Sequence, residues 1–277
     1  TGVNPADWRT RAGQFKMFMR PQFPFITGVE ISGIISELGE GVTQFKIGDP
    51  VYGMLPIAKG GGCAEYVAVN ADSLACMPKS LTFAQAASVP LTALTALQAF
   101  RDKMSLQKGQ HILIYGASGG VGMFAVQLAK SFGAIVTAVC STRNVNWVKS
   151  LGADEVIDYT TTNILQLPTQ YDAILDAVNY LYAKNAVKIL KHGGIFVTVS
   201  PVVSPIVQLR ARVMGKRVKT VFVKPIGDDL SSLNSLFDTQ KMTTYITHEY
   251  PLEHTYQAHE ESATGRVRGK LVIRVGE

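Results

Sequence analysis

His111-Ile-Leu-Ile-Tyr-Gly-Ala-Ser-Gly-Gly-Val-Gly-Met-Phe-Ala-Val-Gln-Leu-Ala-Lys130 reads as an apolar strand that runs into a glycine-rich turn and on into an amphipathic helix. Gly119 and Gly120 permit a tight turn and let backbone N–H groups approach a pyrophosphate. Gly122 lets the helix pack closely on the strand. The helix N-terminus adds unpaired donors and a partial positive charge for the anion. Glycines alone often mark no more than a turn. A strand before them and a helix after them make the stretch a dinucleotide-site prediction.

Working outward, the next strand, Ile135–Val139, ends in Cys140-Ser-Thr-Arg-Asn144. A site for an unphosphorylated ribose places Asp or Glu at this tip to hold the 2′-hydroxyl. None stands there. Ser141, Thr142 and Arg143 instead offer hydroxyls and a guanidinium, which suit a 2′-phosphate, so NADPH is the expected cofactor. Further candidate strands follow at Glu155–Ile157, Ala173–Asp176, Ile195–Val199 and Thr220–Val223. Helical patterns lie at Val121–Phe132, Val145–Leu151, Tyr180–Leu190 and Ile206–Met214. Short apolar strands alternating with helices predict an α/β fold, a Rossmann-type doubly wound parallel sheet.

Residues 1–88 have another texture. Short β-prone runs (Gly28–Ile35, Asp49–Tyr52, Ala64–Val69) are punctuated by Gly39, Gly41, Gly48 and Gly60 to Gly62. Ala84 to Phe100 reads as helix broken by Pro90. Residues 227–277 return to mixed helix and strand, ending in the β-like run Lys270–Val275. The expected organisation is a β-rich domain (1–88) interrupted by the nucleotide-binding domain (89–226) and completed by 227–277.

Composition narrows the class. An apolar fraction of 47% against 17% charged is that of a globular chain with a large core, and no run approaches the length of a spanning helix. Cys63, Cys76 and Cys140 form neither a metal-ligand pair nor a disulfide framework, which favours a reducing compartment, expected to be the cytoplasm or an organelle stroma. The net charge of +6 raises nucleic acid or an anionic membrane as partners. The dense basic stretch, Arg210 to Lys219, lies in or after a predicted helix without interleaved aromatics, and reads as a solvated face.

Several short segments, in order, resemble the medium-chain dehydrogenase/reductase superfamily, and within it the zinc-free quinone oxidoreductases and alkenal/one oxidoreductases. They are Val3-Asn-Pro-Ala-Asp7, Gly28-Val-Glu-Ile-Ser-Gly33, Lys46-Ile-Gly-Asp49, Gly62-Cys-Ala-Glu-Tyr-Val67, Pro90-Leu-Thr-Ala-Leu-Thr-Ala96, the glycine turn, Leu151–Tyr159, Tyr171–Val178 and Gly265–Lys270. The resemblance implies a GroES-like catalytic domain around the Rossmann-type one, with some tens of residues ahead of the Asn-Pro segment. Zinc-using relatives carry Gly-His-Glu where this chain reads Gly28-Val29-Glu30, and a ligating cysteine near Asn4. Both are missing here, and His111, His192, His248, His254 and His259 form no matching constellation. No metal is expected.

Carried over position by position, the resemblance puts the pyrophosphate along Ala117, Ser118, Gly119, Gly120 and Val121, and the 2′-phosphate at Ser141, Thr142 and Arg143. Tyr159 is expected near the adenosine, Thr95 beside the nicotinamide, and Ala177, Val178 and Ser200 at strand carboxyl ends where its carboxamide would lie. Asn4 and Tyr52 are the polar groups expected to face substrate, as a hydrogen-bond donor to the developing oxyanion and as a proton donor. The implied activity is NADPH-dependent hydride transfer to a small molecule, a quinone or a conjugated carbonyl, by a dimer or tetramer that binds no nucleic acid. The rival is a nucleotide-binding protein without turnover that holds RNA or an anionic surface.

Overall fold

Apolar runs become strands only where a neighbouring strand completes their hydrogen bonds, and the fold follows from which runs find one. A computed structural model describes residues 1–16, 24–181 and 183–276. The strands are β1 (Gly2–Val3), β2 (Glu30–Ile34), β3 (Pro50–Met54), β4 (Leu74–Cys76), β5 (His111–Tyr115), β6 (Ile135–Cys140), β7 (Glu155–Asp158) and β8 (Tyr171–Asp176). After them come β9 (Leu190–Thr198), β10 (Arg217–Thr220), β11 (Ile246–Pro251) and β12 (Lys270–Arg274). The helices are α1 (Pro5–Arg11), α2 (Phe83–Ala87), α3 (Pro90–Gln98), α4 (Gly120–Ser131), α5 (Val145–Ser150), α6 (Ala183–Ala186), α7 (Pro205–Val213), α8 (Gly227–Asp238) and α9 (Thr255–Ala263). Two units result, Thr1–Leu94 with Lys224–Glu277, and Thr95–Val223.

The unit Thr95–Val223 is built on a six-stranded sheet ordered β10-β9-β8-β5-β6-β7, with every neighbouring pair parallel. The chain winds outward from β5 through β6 to β7, returns to β8 on the other side of β5, and winds out to β10. Its strand order therefore reverses between β5 and β8. Helices cover both faces of such a sheet, so the central strand is apolar throughout: Ile112, Leu113 and Ile114 are fully buried. This is the doubly wound α/β sheet expected from the sequence.

Some elements differ from expectation. The helix expected over Tyr180–Leu190 is reduced to α6. The buried Asp176 carboxylate accepts the N–H groups of Val178 (3.1 Å), Tyr180 (3.3 Å) and Leu181 (2.9 Å), and Asn179 is left-handed (φ 57°), so the chain turns before it can helicise. β9 then starts five residues earlier than expected, and β10 lies three earlier. Ala64–Val69 is no strand, whereas the unexpected β4 pairs with β3. Pro90 does divide the Ala84–Phe100 stretch, and it opens α3.

In the other unit, β11-β12-β1-β2-β3-β4 form one sheet, antiparallel except for the parallel β11–β12 pair. At its centre β1 is bonded to β12 on one side and β2 on the other. Lys270 from β12 and Glu30 from β2 meet there at 2.6 Å, both buried. The ammonium also donates to Val3 O (2.8 Å) and Asn4 Oδ1 (2.7 Å). The carboxylate accepts from Asn4 Nδ2 (2.7 Å) and from the Leu91 and Thr92 N–H groups (2.7 and 3.2 Å) at the start of α3. A Cβ at Gly2 would run into Glu30 Oε2 and Ala87 O, so only glycine lets β1 pass so close. Asp7 is buried beside this network and accepts N–H groups from Asn4 (2.8 Å) and Gly28 (3.1 Å).

Lys270→Ala leaves the Glu30 charge buried without its counter-ion, and should lower stability in urea unfolding by about 3–5 kcal/mol. A loss below about 1 kcal/mol, the range of an exposed pair, would contradict this. Burial raises the Asp7 carboxyl to about 7, while the Asn4 N–H and Lys270 pull it down. The folded state thus holds this proton more tightly than the unfolded chain between roughly pH 4 and 7, and stability falls as pH rises through that window. Asp7→Asn should flatten the melting temperature across it; an unchanged pH slope would refute the assignment.

Candidate cofactor site

The glycine turn is more selective in space than in sequence. Gly116 leaves β5 with φ +80°, and a Cβ on it would lie 2.5 Å from Val178 Cγ1. Gly122, in the first turn of α4, faces Gly116 O so closely that a Cβ would collide with it and stand 2.6 Å from Ala117 Cα. Gly119 has ordinary room, its nearest neighbour being 3.5 Å away, and a non-left-handed backbone (φ −87°, ψ 179°). Packing therefore demands glycine at 116 and 122. At 119 it serves instead to leave the backbone unshielded. The sequence predicts the tight turn at Gly119 and Gly120; the constraint on Gly116 is visible only once Val178 packs over it.

Gly119 is the N-cap of α4 and no side chain caps the helix. The first intrahelical bond joins Met123 N–H to Gly119 O (2.9 Å). The N–H groups of Gly120, Val121 and Gly122 precede it and point from the helix end, a ready setting for an anion. Ala117 N–H is spent on Val139 O (3.0 Å), which leaves it an anchoring position rather than a donor. Ser118 lies between the two glycines that shape the turn.

At the end of β6, Ser141, Thr142 and Arg143 form the bend into α5, with Ser141 half-buried and Arg143 exposed. Thr142 Oγ donates to Asp158 Oδ2 (2.6 Å), at the end of the adjacent β7. An acid thus stands beside this tip after all, supplied by the next strand and not by β6 itself. Its other oxygen accepts from Thr160 N–H (2.9 Å) and Oγ (2.7 Å), and the Thr142 and Thr160 hydroxyls hold the carboxyl below its usual range. Tyr159 follows, half exposed, its N–H on Cys140 O (3.1 Å). Its ring stacks on Tyr115 (6.4 Å), which stacks on Tyr180 (5.4 Å), so three tyrosines line the carboxyl end of the sheet.

Past β8, Ala177 N–H bonds Tyr115 O (3.1 Å) and Val178 rests over Gly116, which joins this strand end to the glycine turn. Ser200 lies two residues past β9, its hydroxyl on Val202 O (3.2 Å). Thr95 is buried within α3, in mid-helix.

Asn4 and Tyr52 have settings other than the expected ones. Asn4 is 1% exposed, and both its side-chain heteroatoms are engaged by Glu30 and Lys270. Tyr52 is fully buried, its hydroxyl set between Asn234 Oδ1 (2.7 Å) and Leu230 O (3.0 Å) of α8, and burial raises its pKa. Neither faces open space, so direct contact with a substrate is not what their geometry offers. Val29 is buried and apolar beside Glu30, whose carboxylate is filled by its own four donors. Among the described residues, no group of three or more His, Cys, Asp or Glu is arranged to hold a metal ion.

A doubly wound parallel sheet, a glycine turn that only glycine can make, and an uncapped helix end at its carboxyl edge define the scaffold of a dinucleotide-binding domain. Two family models match the chain: an alcohol dehydrogenase GroES-like domain over residues 1–79 and a zinc-binding dehydrogenase over residues 151–273. A chloroplast envelope quinone oxidoreductase homolog of Arabidopsis thaliana is 33% identical, over 99% of this chain and 87% of its own. An NADPH-dependent alkenal/one oxidoreductase from chloroplasts of the same plant is 34% identical, over 98% and 69%. The solved quinone oxidoreductase of Coxiella burnetii superposes with a TM-score of 0.89 at 33% identity, covering 100% of this chain and 88% of that one. The chain belongs to the quinone and alkenal/one oxidoreductase family of the medium-chain dehydrogenase/reductase superfamily, and is an oxidoreductase that uses a nicotinamide cofactor. The rival reading, a binding protein without turnover, finds no support among these relatives.

Gly122→Ala should cost about 2 kcal/mol or more of stability through overpacking and abolish NADPH-induced thermal stabilisation. Gly119→Ala should fold normally yet bind NADPH more weakly, which a fluorescence titration would read. Full affinity in Gly119→Ala would place the anion elsewhere.

Proposed function

We propose that this enzyme is specific for NADPH, works without zinc, and passes a hydride to a quinone or an α,β-unsaturated carbonyl. The observation that carries the reading is the uncapped start of α4 lying against the Gly116–Gly122 contact, at the sheet edge that also bears Arg143. The N–H groups of Gly120, Val121 and Gly122 would receive the pyrophosphate, and Arg143 with Ser141 the 2′-phosphate. The carboxyl-end tyrosine Tyr159 would flank the adenosine, and the chain at Ala177, Val178 and Ser200 would position the carboxamide. Thr95 would lie beside the nicotinamide, a role that rests on the family resemblance alone. The cofactor, once bound, supplies the hydride from C4 of its nicotinamide ring, and the protein's part is to place that ring and keep its face accessible.

Asn4 and Tyr52 act in this reading as positioning residues: Asn4 holds the Glu30–Lys270 pair, and Tyr52 ties β3 to α8. The proton that completes reduction comes from water, which suffices for an acceptor whose hydride adduct is a stabilised hydroquinone monoanion or enolate. The quinone and alkenal/one names of the relatives support this class of acceptor over simple alcohols and ketones.

The test is NADPH oxidation followed optically against a benzoquinone, a naphthoquinone, an alkenal and a simple ketone, with NADH in parallel. Turnover of the quinones or the alkenal is expected, with NADPH preferred. Arg143→Ala should raise KM for NADPH about tenfold or more while barely moving that for NADH, as loss of a charge-assisted contact implies. Asp158→Asn removes a carboxylate beside the 2′-phosphate and should shift preference further toward NADPH. Equal use of both cofactors by the unmodified enzyme, or turnover of the ketone alone, would overturn the assignment.

A further inference from the structure

The carboxyl end of β6 sets two opposite signals side by side. An acid at this tip accepts the ribose 2′-hydroxyl of an unphosphorylated cofactor, and its charge opposes a 2′-phosphate. Asp158, at the end of β7, brings such an acid to within 2.6 Å of Thr142 Oγ. Arg143, the next residue along, suits the phosphate instead. Both belong to one bend between two paired strands, so the cofactor that the bend favours depends on what the carboxylate is free to do.

Its hydrogen bonds leave it little freedom. A carboxylate offers two oxygens with about four lone-pair positions. Oδ2 accepts from the Thr142 hydroxyl, and Oδ1 from both the N–H (2.9 Å) and the hydroxyl (2.7 Å) of Thr160. Both oxygens are thus engaged, and a ribose diol, which is gripped best by two free oxygens, finds neither. The hydroxyls of Thr142 and Thr160 lie 2.8 Å apart and close a ring around the carboxylate. A hydroxyl has one proton to give. Thr142, expected from the sequence to meet the 2′-phosphate, has committed its proton to Asp158 instead. The two threonines hold from different sides: Thr160 from two residues further along the same chain, Thr142 from the tip of the neighbouring strand. With both hydroxyls gone, the Thr160 N–H alone of these three donors would remain, and the side chain would regain its choice of rotamer.

We propose that Thr142 and Thr160 are specificity-determining positioning residues, which hold Asp158 off the adenosine ribose and so bias the β6 tip toward NADPH over NADH. The proposal rests on the placing of that ribose at Ser141 and Arg143. The test is a fluorescence titration of the whole protein with NADPH and with NADH, each giving a Kd. It compares the unmodified protein with T142V/T160V, with T142S/T160S, and with D158N carrying or lacking the two valines. T142V/T160V should tighten NADH and weaken NADPH, moving the ratio of the two Kd values toward NADH by about tenfold or more, as a charge-assisted hydrogen bond gained by the ribose implies. T142S/T160S keeps both hydroxyls and should keep the native ratio. In the D158N background the valines should leave the ratio where it was, because no charge is there to be released. T142V alone removes the bond between the strands and should give part of the shift; it decides the matter should the double variant fail to fold. An unmoved ratio in the valine variants would overturn the proposal, as would the same shift in the D158N background. Weaker NADPH binding with NADH unchanged would mean that the hydroxyls touch the phosphate themselves, and would overturn it equally. Equal affinity of the unmodified protein for both cofactors would instead overturn the NADPH preference, and the shift caused by the valines would still decide whether the threonines restrain Asp158.

Discussion

The ammonium of Lys270 is cut off from water, and much of one unit is arranged around that fact. Removing an ion from water costs several kcal/mol even after relaxation, and the cost is recovered only when every hydrogen-bonding position is filled with good geometry. Here the ammonium meets three oxygens and the Glu30 carboxylate meets four donors, drawn from β1, β2, β12, the Asn4 turn and the start of α3. Segments far apart in sequence are thereby held in one register. Gly2 is glycine because that carboxylate and Ala87 O leave no space, and Asn4 is buried because it bonds both charges. Asn4, before Pro5, is a candidate for chemistry in the sequence, whereas Glu30 enters there only in the argument against zinc. The structure shows the two as parts of one electrostatic clasp.

The other unit obeys a steric constraint instead. Its sheet delivers strand ends to one edge, and two glycines fix how tightly the first crossover departs from it. Val178 closes over Gly116, so the loop after β8 and the turn after β5 fit each other. Asp176 keeps that loop short of a helix by gathering three of its N–H groups. What the chain contributes to the reaction on this reading is placement: donors without partners at a helix end, a cationic tip on β6, and flat rings along the edge. Such a site asks little of acid–base side chains, which agrees with the burial of Tyr52 and Asn4.

The doubly wound sheet was legible because its strands are buried on both faces, so their apolar runs are continuous and punctuated by helices of a different period. β5 was read to the residue, and α4 to within one. Where a side chain competes with the backbone the reading slipped: nothing in Tyr180–Leu190 itself reveals that Asp176 will capture its first N–H groups. Ala64–Val69 has strand-like composition but finds no ladder partner, and partnership is not a local property. Asp158 was overlooked at the β6 tip because it is sixteen residues from Thr142 and arrives by strand pairing. The basic stretch Arg210–Lys219 was visible as charge, whereas the exposure of Leu209 and Val213 was not, since aliphatics at helical spacing usually mark a buried face.

The pairing of β1 with β12 also sets an order of events during synthesis. Glu30 leaves the ribosome 240 residues ahead of the lysine that neutralises it. The unit Thr95–Val223 is contiguous and dominated by crossovers between neighbouring strands, so all of its contacts are available once residue 223 has emerged. The unit around it must wait, with one edge of β1 unpaired and a carboxylate not yet buried, until β12 has emerged. A nascent chain of this design therefore owns a finished nucleotide fold while β1 and β2 are still open, and the interval between the two is when chaperones and proteases have their best access to it.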